Sequence, residues 1–222
     1  MSSVTRTKTV MMAARLAAAL LLGGLQSATA HDAQHHGAPV DAKPDTKPHA
    51  AKVMLHDTQL VNSDGEAVRF KSEAVGDRIV VVSFIYTSCT TICPMTSLVF
   101  ADVQERLFEK FGDRLGRDVK LVTLTVDPAT DTPERLKDYA GNFGRPAGWL
   151  WLTGDKPLIN KVLAGLGGYA PDFTRHSGAI LVGDARRGDW IRFYGLPNPS
   201  DIVDRVEQLL AAREAASLAG RR

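Results

Sequence analysis

The feature that most constrains the fold is a run of β-branched and aromatic side chains at residues 79–86, which leads directly into Cys89 and Cys93. A run this apolar predicts a central strand that is covered on both faces. Pro94 fits the first turn of a following helix, because a missing N–H costs nothing there. The predicted inward face of that helix consists of Leu98, Val103, Leu107, Phe108 and Phe111. The sequence therefore predicts a strand, a cysteine loop and a helix in succession.

The same alternation continues along the chain. A second apolar strand is predicted at residues 119–126 and a helix at 133–143, and this β-α-β pattern indicates a parallel sheet at the core. A β-hairpin is predicted to precede them, with strands at 58–62 and 66–70 around a Ser-Asp-Gly turn. The remaining predicted elements are a strand at 149–152, a helix at 155–166, a hairpin of strands 179–182 and 190–194, and a last helix at 200–217, capped by Asn198 or Ser200.

A β-α-β half followed by a β-hairpin and a terminal helix is the order of the thioredoxin fold. We therefore predict an α/β domain with a central mixed sheet flanked by helices and an N-terminal β-hairpin extension. In this fold the cysteine loop lies between the first core strand and its helix. The loop before the strand at 179–182, which contains His176, faces it.

The first 30 residues have the pattern of an export signal: basic residues, a short apolar run at 16–25 and a small-residue site at 28–30. We predict a mature chain that begins at His31 in the periplasm. The apolar run is about half of the ~20 residues that span a bilayer. An uncleaved signal would instead anchor the protein to the inner membrane through residues 10–28.

Removal of this segment takes away three of the 27 basic residues and none of the 25 acidic ones, which leaves 24 against 25 and a net charge of −1. No basic field then favours nucleic acid or an anionic membrane as a partner. The predicted layout is a His-rich leader at 31–51, one domain at 52–217 and a tail at 218–222. The leader histidines are His31, His35, His36 and His49, which form either a low-affinity metal-collecting segment or a solvated tether.

Cys89 and Cys93 are the two cysteines of the chain. A structural disulfide in an exported protein normally closes a long loop, and a bond between residues this close would close a very short one. Redox chemistry or metal binding is therefore the better interpretation of the pair.

Three segments resemble the Sco/SenC family of copper-handling proteins. Residues 84–94, FIYTSCTTICP, are similar to its CxxxCP signature; 126–133, VDPATDTP, to its DPxxDTP segment; and 175–178, RHSG, to its single histidine before a strand. The resemblance covers residues 52–213. It implies copper ligation by Cys89, Cys93 and His176, and delivery of copper to the binuclear centre of cytochrome c oxidase subunit II or another acceptor. It also links an acidic pair, Asp127 and Asp131, to transfer.

The chemistry of these residues agrees with the resemblance. Two thiolates and one imidazole are a soft donor set that suits Cu(I), and they serve Cu(II) when a further ligand is added. Cys93 is predicted at a helix N-terminus, where the dipole favours the thiolate. Met95 is predicted to be a core residue rather than a fourth ligand. Asp131 or Thr132 can also be the N-cap of the helix at 133–143, and for Asp131 this structural role is as good an interpretation as a role in transfer.

These observations predict a copper metallochaperone rather than an enzyme. Two alternatives remain: a thiol-disulfide oxidoreductase that reduces the acceptor's cysteines, and a copper-dependent redox sensor. The first would use the same dithiol, Cys89 and Cys93, with a thioredoxin-like reductant as a further partner. Membrane contact is expected only if the signal segment is uncleaved.

Overall fold

The computed structural model describes residues 47–143, 147–176 and 178–221. The predicted signal segment and all leader residues before Lys47 lie outside this part of the chain. Within the described ranges, no helix is both long enough and apolar enough to cross a bilayer.

The described domain is built on one mixed sheet of eight strands in the order β1-β8-β7-β4-β5-β6-β2-β3. Strands β4, β5 and β6 are parallel, and all other neighbours pair antiparallel. The strands are β1 His49–Ala50, β2 Gln59–Asn62, β3 Ala67–Arg69, β4 Ile79–Ile85, β5 Val119–Thr125, β6 Trp149–Thr153, β7 Ile180–Asp184 and β8 Asp189–Phe193. The predicted parallel core and both predicted hairpins are therefore present.

Helices cover both faces of this sheet. They are α1 Ile92–Phe111, α2 Arg114–Arg117, α3 Pro133–Ala140, α4 Lys156–Leu166 and α5 Pro199–Ala219, with a π-helical segment at Phe70–Val75 and a 3-10 turn at Phe173–Arg175. Alternate side chains of β4 enter different cores, as the pleat of a strand requires. Ile79 and Val81 pack with α1, α3 and α5, whereas Val80 and Val82 pack with α4 and the π-helical segment. The predicted α/β class, a mixed sheet flanked by helices, is confirmed.

Two predicted boundaries differ from the structure. His49 and Ala50 were placed in the leader, but they pair with Arg192 and Ile191 of β8, so the folded part begins before residue 52. The last helix extends to Ala219, two residues into the predicted tail. Of the two predicted caps of this helix, it is the Asn198 side chain that accepts the Ser200 N–H, at 2.9 Å.

The prediction for the inward face of α1 is partly wrong. Leu98 is 60% exposed and Phe108 is 39% exposed, while Phe100 is fully buried. Met95, predicted to be core, is 51% exposed. The reason is that polar side chains occupy core-facing positions of this helix, which moves the buried stripe away from the one that apolar residues alone suggest. These buried polar residues are Thr96, Ser97 and Gln104.

Candidate metal centre

The cysteine loop connects the end of β4 to the start of α1. Cys89 lies within this loop, and its backbone N–H donates to the Tyr86 carbonyl at 3.1 Å. Cys93 lies in the first turn of α1, and its N–H donates to Cys89 Sγ at 3.4 Å. Both thiols are free and nearly fully buried. The helix N-terminus therefore directs a hydrogen-bond donor at the first cysteine, as expected for a site that stabilises a thiolate.

The two thiols have very different acidities. Burial alone would raise the pKa of Cys89, but hydrogen bonds from the Cys93 thiol and from the Cys93 and Thr91 backbones outweigh it and bring the pKa to about 7. Burial, followed by the hydrogen bond given to Cys89, raises the pKa of Cys93 to about 12. At neutral pH Cys93 therefore keeps its proton, and Cys89 is about half ionised.

His176 follows the 3-10 turn, and each of its ring nitrogens lies near a backbone carbonyl oxygen. Its Nδ1 lies 2.8 Å from the Phe173 carbonyl oxygen, and its Nε2 lies 3.3 Å from that of Phe84. A neutral imidazole has a single N–H, and the shorter contact assigns it to Nδ1. Nε2 then carries the lone pair. A histidine whose Nδ1–H is held by a carbonyl has the arrangement that metal-ligating histidines use.

The structure brings Cys89 and Cys93 into contact, but it does not close the predicted three-ligand set around a metal position. Among the described residues, no group of three or more His, Cys, Asp or Glu side chains is arranged to hold a metal ion. His176 Nε2 faces the Phe84 carbonyl instead. Ligation by all three would require His176 to turn away from that carbonyl. The predicted ligand set therefore stays a prediction.

Asp131 does not cap α3. The cap is Thr132, whose Oγ1 accepts the Arg135 N–H at 3.3 Å. Asp131 is fully buried, and its carboxylate accepts the hydroxyls of Thr87 and Thr125, both at 2.5 Å, and the Thr87 N–H at 3.1 Å. It thereby joins the start of the cysteine loop to the end of β5.

Asp127 lies two residues beyond the end of β5 and is buried. Its N–H donates to Thr125 Oγ1 at 3.0 Å, and its carbonyl accepts the N–H groups of Thr130 and Asp131. The backbone of Asp127 makes these contacts. They form the turn that places the Asp131 carboxylate next to Thr87 in the cysteine loop.

Tyr86 is the site residue that the sequence pattern missed. Its ring lies edge-on to His176, with centroids 5.8 Å apart, and edge-on to Phe173 at 5.2 Å. A hydrogen bond to the Cys89 side chain, followed by burial and the charges of both thiols, raises its pKa. Its position next to the cysteine loop was the available signal, but an aromatic residue at the end of an apolar run suggests only core packing.

Comparison with known proteins identifies the family of this chain. The SCO1/SenC family model matches residues 44–209. The SCO1 protein homolog of Bacillus subtilis is 33% identical over 94 residues, which are 42% of this chain and 45% of that protein. The chain spans about half the length of the curated relatives it matches.

Two solved structures share the fold. A SCO1/SenC family lipoprotein from Bacillus anthracis is 25% identical with a TM-score of 0.60, covering 72% of this chain and 97% of that one. Bradyrhizobium japonicum ScoI, solved with copper bound, is 26% identical with a TM-score of 0.56, covering 70% and 98%. The mixed sheet with its cysteine loop between β4 and α1 is thus thioredoxin-like, and the chain belongs to the SCO1/SenC family.

Proposed function

We propose that this protein is a periplasmic copper metallochaperone that binds copper through Cys89, Cys93 and His176 and passes it to an acceptor by ligand exchange. The observation that carries the proposal is the arrangement of the sulfur and nitrogen atoms that would bind the metal. A thiol with a pKa of about 7 accepts an N–H from the first turn of α1, next to a second buried thiol. The histidine predicted to join them holds Nδ1 on a carbonyl and so keeps the Nε2 lone pair for a ligand.

The donor set fits copper. Two sulfurs and one imidazole nitrogen are soft ligands that favour Cu(I) over the hard cations. The copper-bound structure of Bradyrhizobium japonicum ScoI supports the same choice for this relative. Because the pKa of Cys93 is about 12, this thiol must lose its proton when copper arrives, so that binding releases protons.

Export and the acceptor are further parts of the proposal. The basic, apolar and small-residue pattern of residues 1–30 supports delivery to the periplasm. The resemblance of the cysteine, acidic and histidine segments to the Sco/SenC family supports the binuclear copper centre of cytochrome c oxidase subunit II as the acceptor. A site with three protein ligands leaves a position for an incoming thiolate or imidazole, so a mixed-ligand intermediate can form before the first bonds break.

The test is a copper titration of the reduced and the oxidised protein. We expect one copper per reduced domain and none of high affinity after oxidation, because a disulfide removes both anionic sulfur ligands. His31, His35 and His36 should be replaced by Asn, so that the leader does not contribute while the strand at His49–Ala50 stays intact. Undiminished high-affinity binding by the oxidised protein would exclude this site.

A second experiment tests His176 directly. His176→Ala should weaken copper binding and leave a dithiol that can still be oxidised, because the imidazole is a ligand and not a partner in disulfide chemistry. Competition with a Cu(I) chelator measures the affinity, and thiol titration measures the oxidation. Equal copper affinity in the variant and the parent would show that His176 is only a loop residue.

The alternative function is thiol-disulfide exchange with the acceptor's cysteines, and the unequal acidity of the two thiols favours it. A thiol with a pKa of about 7 attacks a disulfide efficiently at neutral pH, and a second thiol beside it can resolve the mixed disulfide. The copper-free protein would then reduce an oxidised subunit II fragment, and His176→Ala would do so equally well. Failure of that reduction, together with copper transfer by the parent, separates the two functions.

A further inference from the structure

Strand β1 joins the leader to the domain at the end of the sheet that carries the cysteine loop. His49 of β1 pairs with Arg192 of β8, and Arg192 pairs with Leu181 of β7. Leu181 in turn pairs with Val82 of β4. Since each of these three pairings is antiparallel, β1 begins at the end of the sheet where β4 leads into Cys89. Neighbouring strands lie about 4.8 Å apart, so three steps separate β1 from β4 by about 14 Å.

Lys47, the first described residue, lies at this same end of the sheet. It lines a cleft together with Phe193, the last residue of β8. Phe193 pairs with Ile180, which comes only four residues after His176. The chain that precedes Lys47 is therefore attached on the side of the cysteine loop and of the loop that contains His176, and not at the opposite end of the sheet.

The sequence before this attachment point supplies metal-binding side chains. Residues 31–46 contain three of the six histidines of the chain, at positions 31, 35 and 36, and imidazole nitrogens are good ligands for copper. His36 precedes Lys47 by eleven positions. Eleven residues span at most about 37 Å, at about 3.4 Å per residue, which exceeds the distance of about 14 Å to β4. The leader is thus long enough to bring a bound ion to the cysteine loop.

We propose that His31, His35 and His36 form a capture site for Cu(II) that passes the ion to Cys89 and Cys93 of the same molecule. This inference rests on the proposed function, which provides the receiving site. Both thiols are nearly fully buried, so a dilute ion seldom reaches them by direct collision. A donor that is joined to its acceptor by a short chain acts at a high local concentration.

The transfer is a ligand exchange in which no electron moves. Each copper–nitrogen bond to the leader breaks as a copper–sulfur bond forms, and the protons of the thiols leave to water. Thiolates are stronger donors to copper than neutral imidazoles, which gives the transfer its direction.

The test is uptake of Cu(II) by the reduced mature protein, with less than one equivalent of dilute metal. Stopped-flow absorbance follows the thiolate-to-Cu(II) charge-transfer band. The triple variant that combines His31→Asn, His35→Asn and His36→Asn should develop this band about tenfold more slowly than the parent. The final band should be the same, because the triple variant keeps both sulfur ligands.

Two controls test whether the position of the leader matters. His56 lies outside the leader and packs against α4 at Gly165, so His56→Asn should take up copper at the parent rate. A free peptide of residues 31–46, added to the triple variant at equal concentration, should not restore the rate, because it lacks the attachment through β1. Uptake by the triple variant at the parent rate, or full rescue by the free peptide, would overturn the proposal.

The oxidised protein tests the capture site without the dithiol. The oxidised parent should bind Cu(II) weakly, with the nitrogen hyperfine pattern of imidazole ligands in its electron paramagnetic resonance spectrum, and the triple variant should lose this signal. Equal signals in the two proteins would refute the capture site. A reduced parent that shows the imidazole signal but never develops a thiolate-to-copper band would instead refute the proposed function, so the two failures are distinguishable.

Discussion

Two fully buried carboxylates mark opposite ends of the sheet, and they are compensated in different ways. Asp184 ends β7 beside Ile79, the first residue of β4. Asp131 binds Thr87, just after the last residue of β4. Arg213 gives Asp184 two hydrogen bonds, at 2.7 and 2.5 Å, and the carboxylate also accepts backbone N–H groups in the β7–β8 turn. Every hydrogen-bond partner of Asp131 in the described part of the chain is neutral.

The comparison separates a structural end of the molecule from a functional one. The Asp184–Arg213 pair has no net charge and fixes α5 to the hairpin. Asp131 holds the cysteine loop and forms no ion pair with any described residue. Its negative charge is one of the causes, after burial and Cys89, that raise the pKa of Cys93. A negative field that opposes a second thiolate in the free protein also favours a cation at the same place. We therefore expect the cysteine end to attract positive charge, as the proposed copper site requires.

The largest effect is expected at the structural end. Arg213→Leu leaves the Asp184 carboxylate buried without its cation, and we expect a loss of about 3–5 kcal/mol in the free energy of unfolding. Urea unfolding measures this loss. The control is Arg205→Leu, which breaks a pair between the same helix and the same hairpin, but with a partner, Asp189, that is 46% exposed. That loss should be within about 1 kcal/mol. Equal losses would show that burial does not distinguish the two pairs.

The Asp184–Arg213 pair also predicts that the protein loses stability in acid. Burial opposes ionisation of Asp184, but the hydrogen bonds and charge of Arg213 outweigh it and lower the pKa of the carboxyl. A lowered folded-state pKa means that the stabilisation is fully present above the ordinary carboxyl pKa of about 4 and is lost as the pH falls below it. In Arg213→Leu this dependence should become smaller. An identical acid profile would show that other carboxylates dominate.

Substitution of Asp131, at the cysteine end, is expected to reduce stability less, but also to change the pKa of Cys93. Asp131→Asn keeps the volume but points an amide N–H₂ at donors, so we expect a loss of about 1–3 kcal/mol in the free energy of unfolding. Removal of the negative charge should also lower the pKa of Cys93. Urea unfolding and thiol alkylation against pH measure the two changes. Arg213→Leu should leave alkylation unchanged, and an altered profile there would contradict the division between the two ends.

The sequence was sufficient to predict the elements whose patterns are local. The strand at Ile79–Ile85 is apolar except for Ser83, and Pro94 marks the first turn of α1. The β7–β8 hairpin follows from two apolar runs around a turn. In contrast, β1 consists of two residues and exists only because β8 offers it an edge. No pattern predicts such a strand, since its hydrogen bonds are made to a partner about 140 residues away.

In the candidate site, too, some features follow from local sequence and others depend on residues far away in the chain. The contact between Cys89 and Cys93 follows from their spacing across a helix N-terminus. The orientation of His176 depends on the carbonyl of Phe173, and the role of Asp131 depends on Thr87. The local pattern around Asp131 is compatible equally with a helix cap and with a role near the cysteines, because Thr132 and Asp131 are both good caps. Only the fold shows which one faces the loop.

A tenfold effect is expected in the reactivity of the thiols. With a pKa of about 7, Cys89 should react with iodoacetamide at a rate that rises about tenfold from pH 5 to pH 6 and levels off above about pH 8. Cys93, with a pKa of about 12, should stay unmodified over this range in the folded protein. Mass spectrometry of peptides after brief alkylation measures each site. Equal labelling at pH 7 would contradict the asymmetry that helix α1 and burial impose.

The smallest effect on the fold is expected for Asp127, which lies at the cysteine end of the sheet and whose described hydrogen bonds in the turn after β5 are made by its backbone. Asp127→Asn keeps these contacts, so the free energy of unfolding should change by less than about 0.5 kcal/mol. The affinity of the Cys89, Cys93 and His176 site should also stay unchanged.

Asp127→Asn removes a negative charge from the cysteine end, so copper transfer should slow about two- to threefold and its rate should depend less on salt, because charges near an interface act mainly on association. Stopped-flow transfer to an apo subunit II fragment at two salt concentrations measures both. Affinity and transfer that fall in the same proportion would show that Asp127 only supports the fold, and that Asp131 alone carries the negative field at the cysteine end.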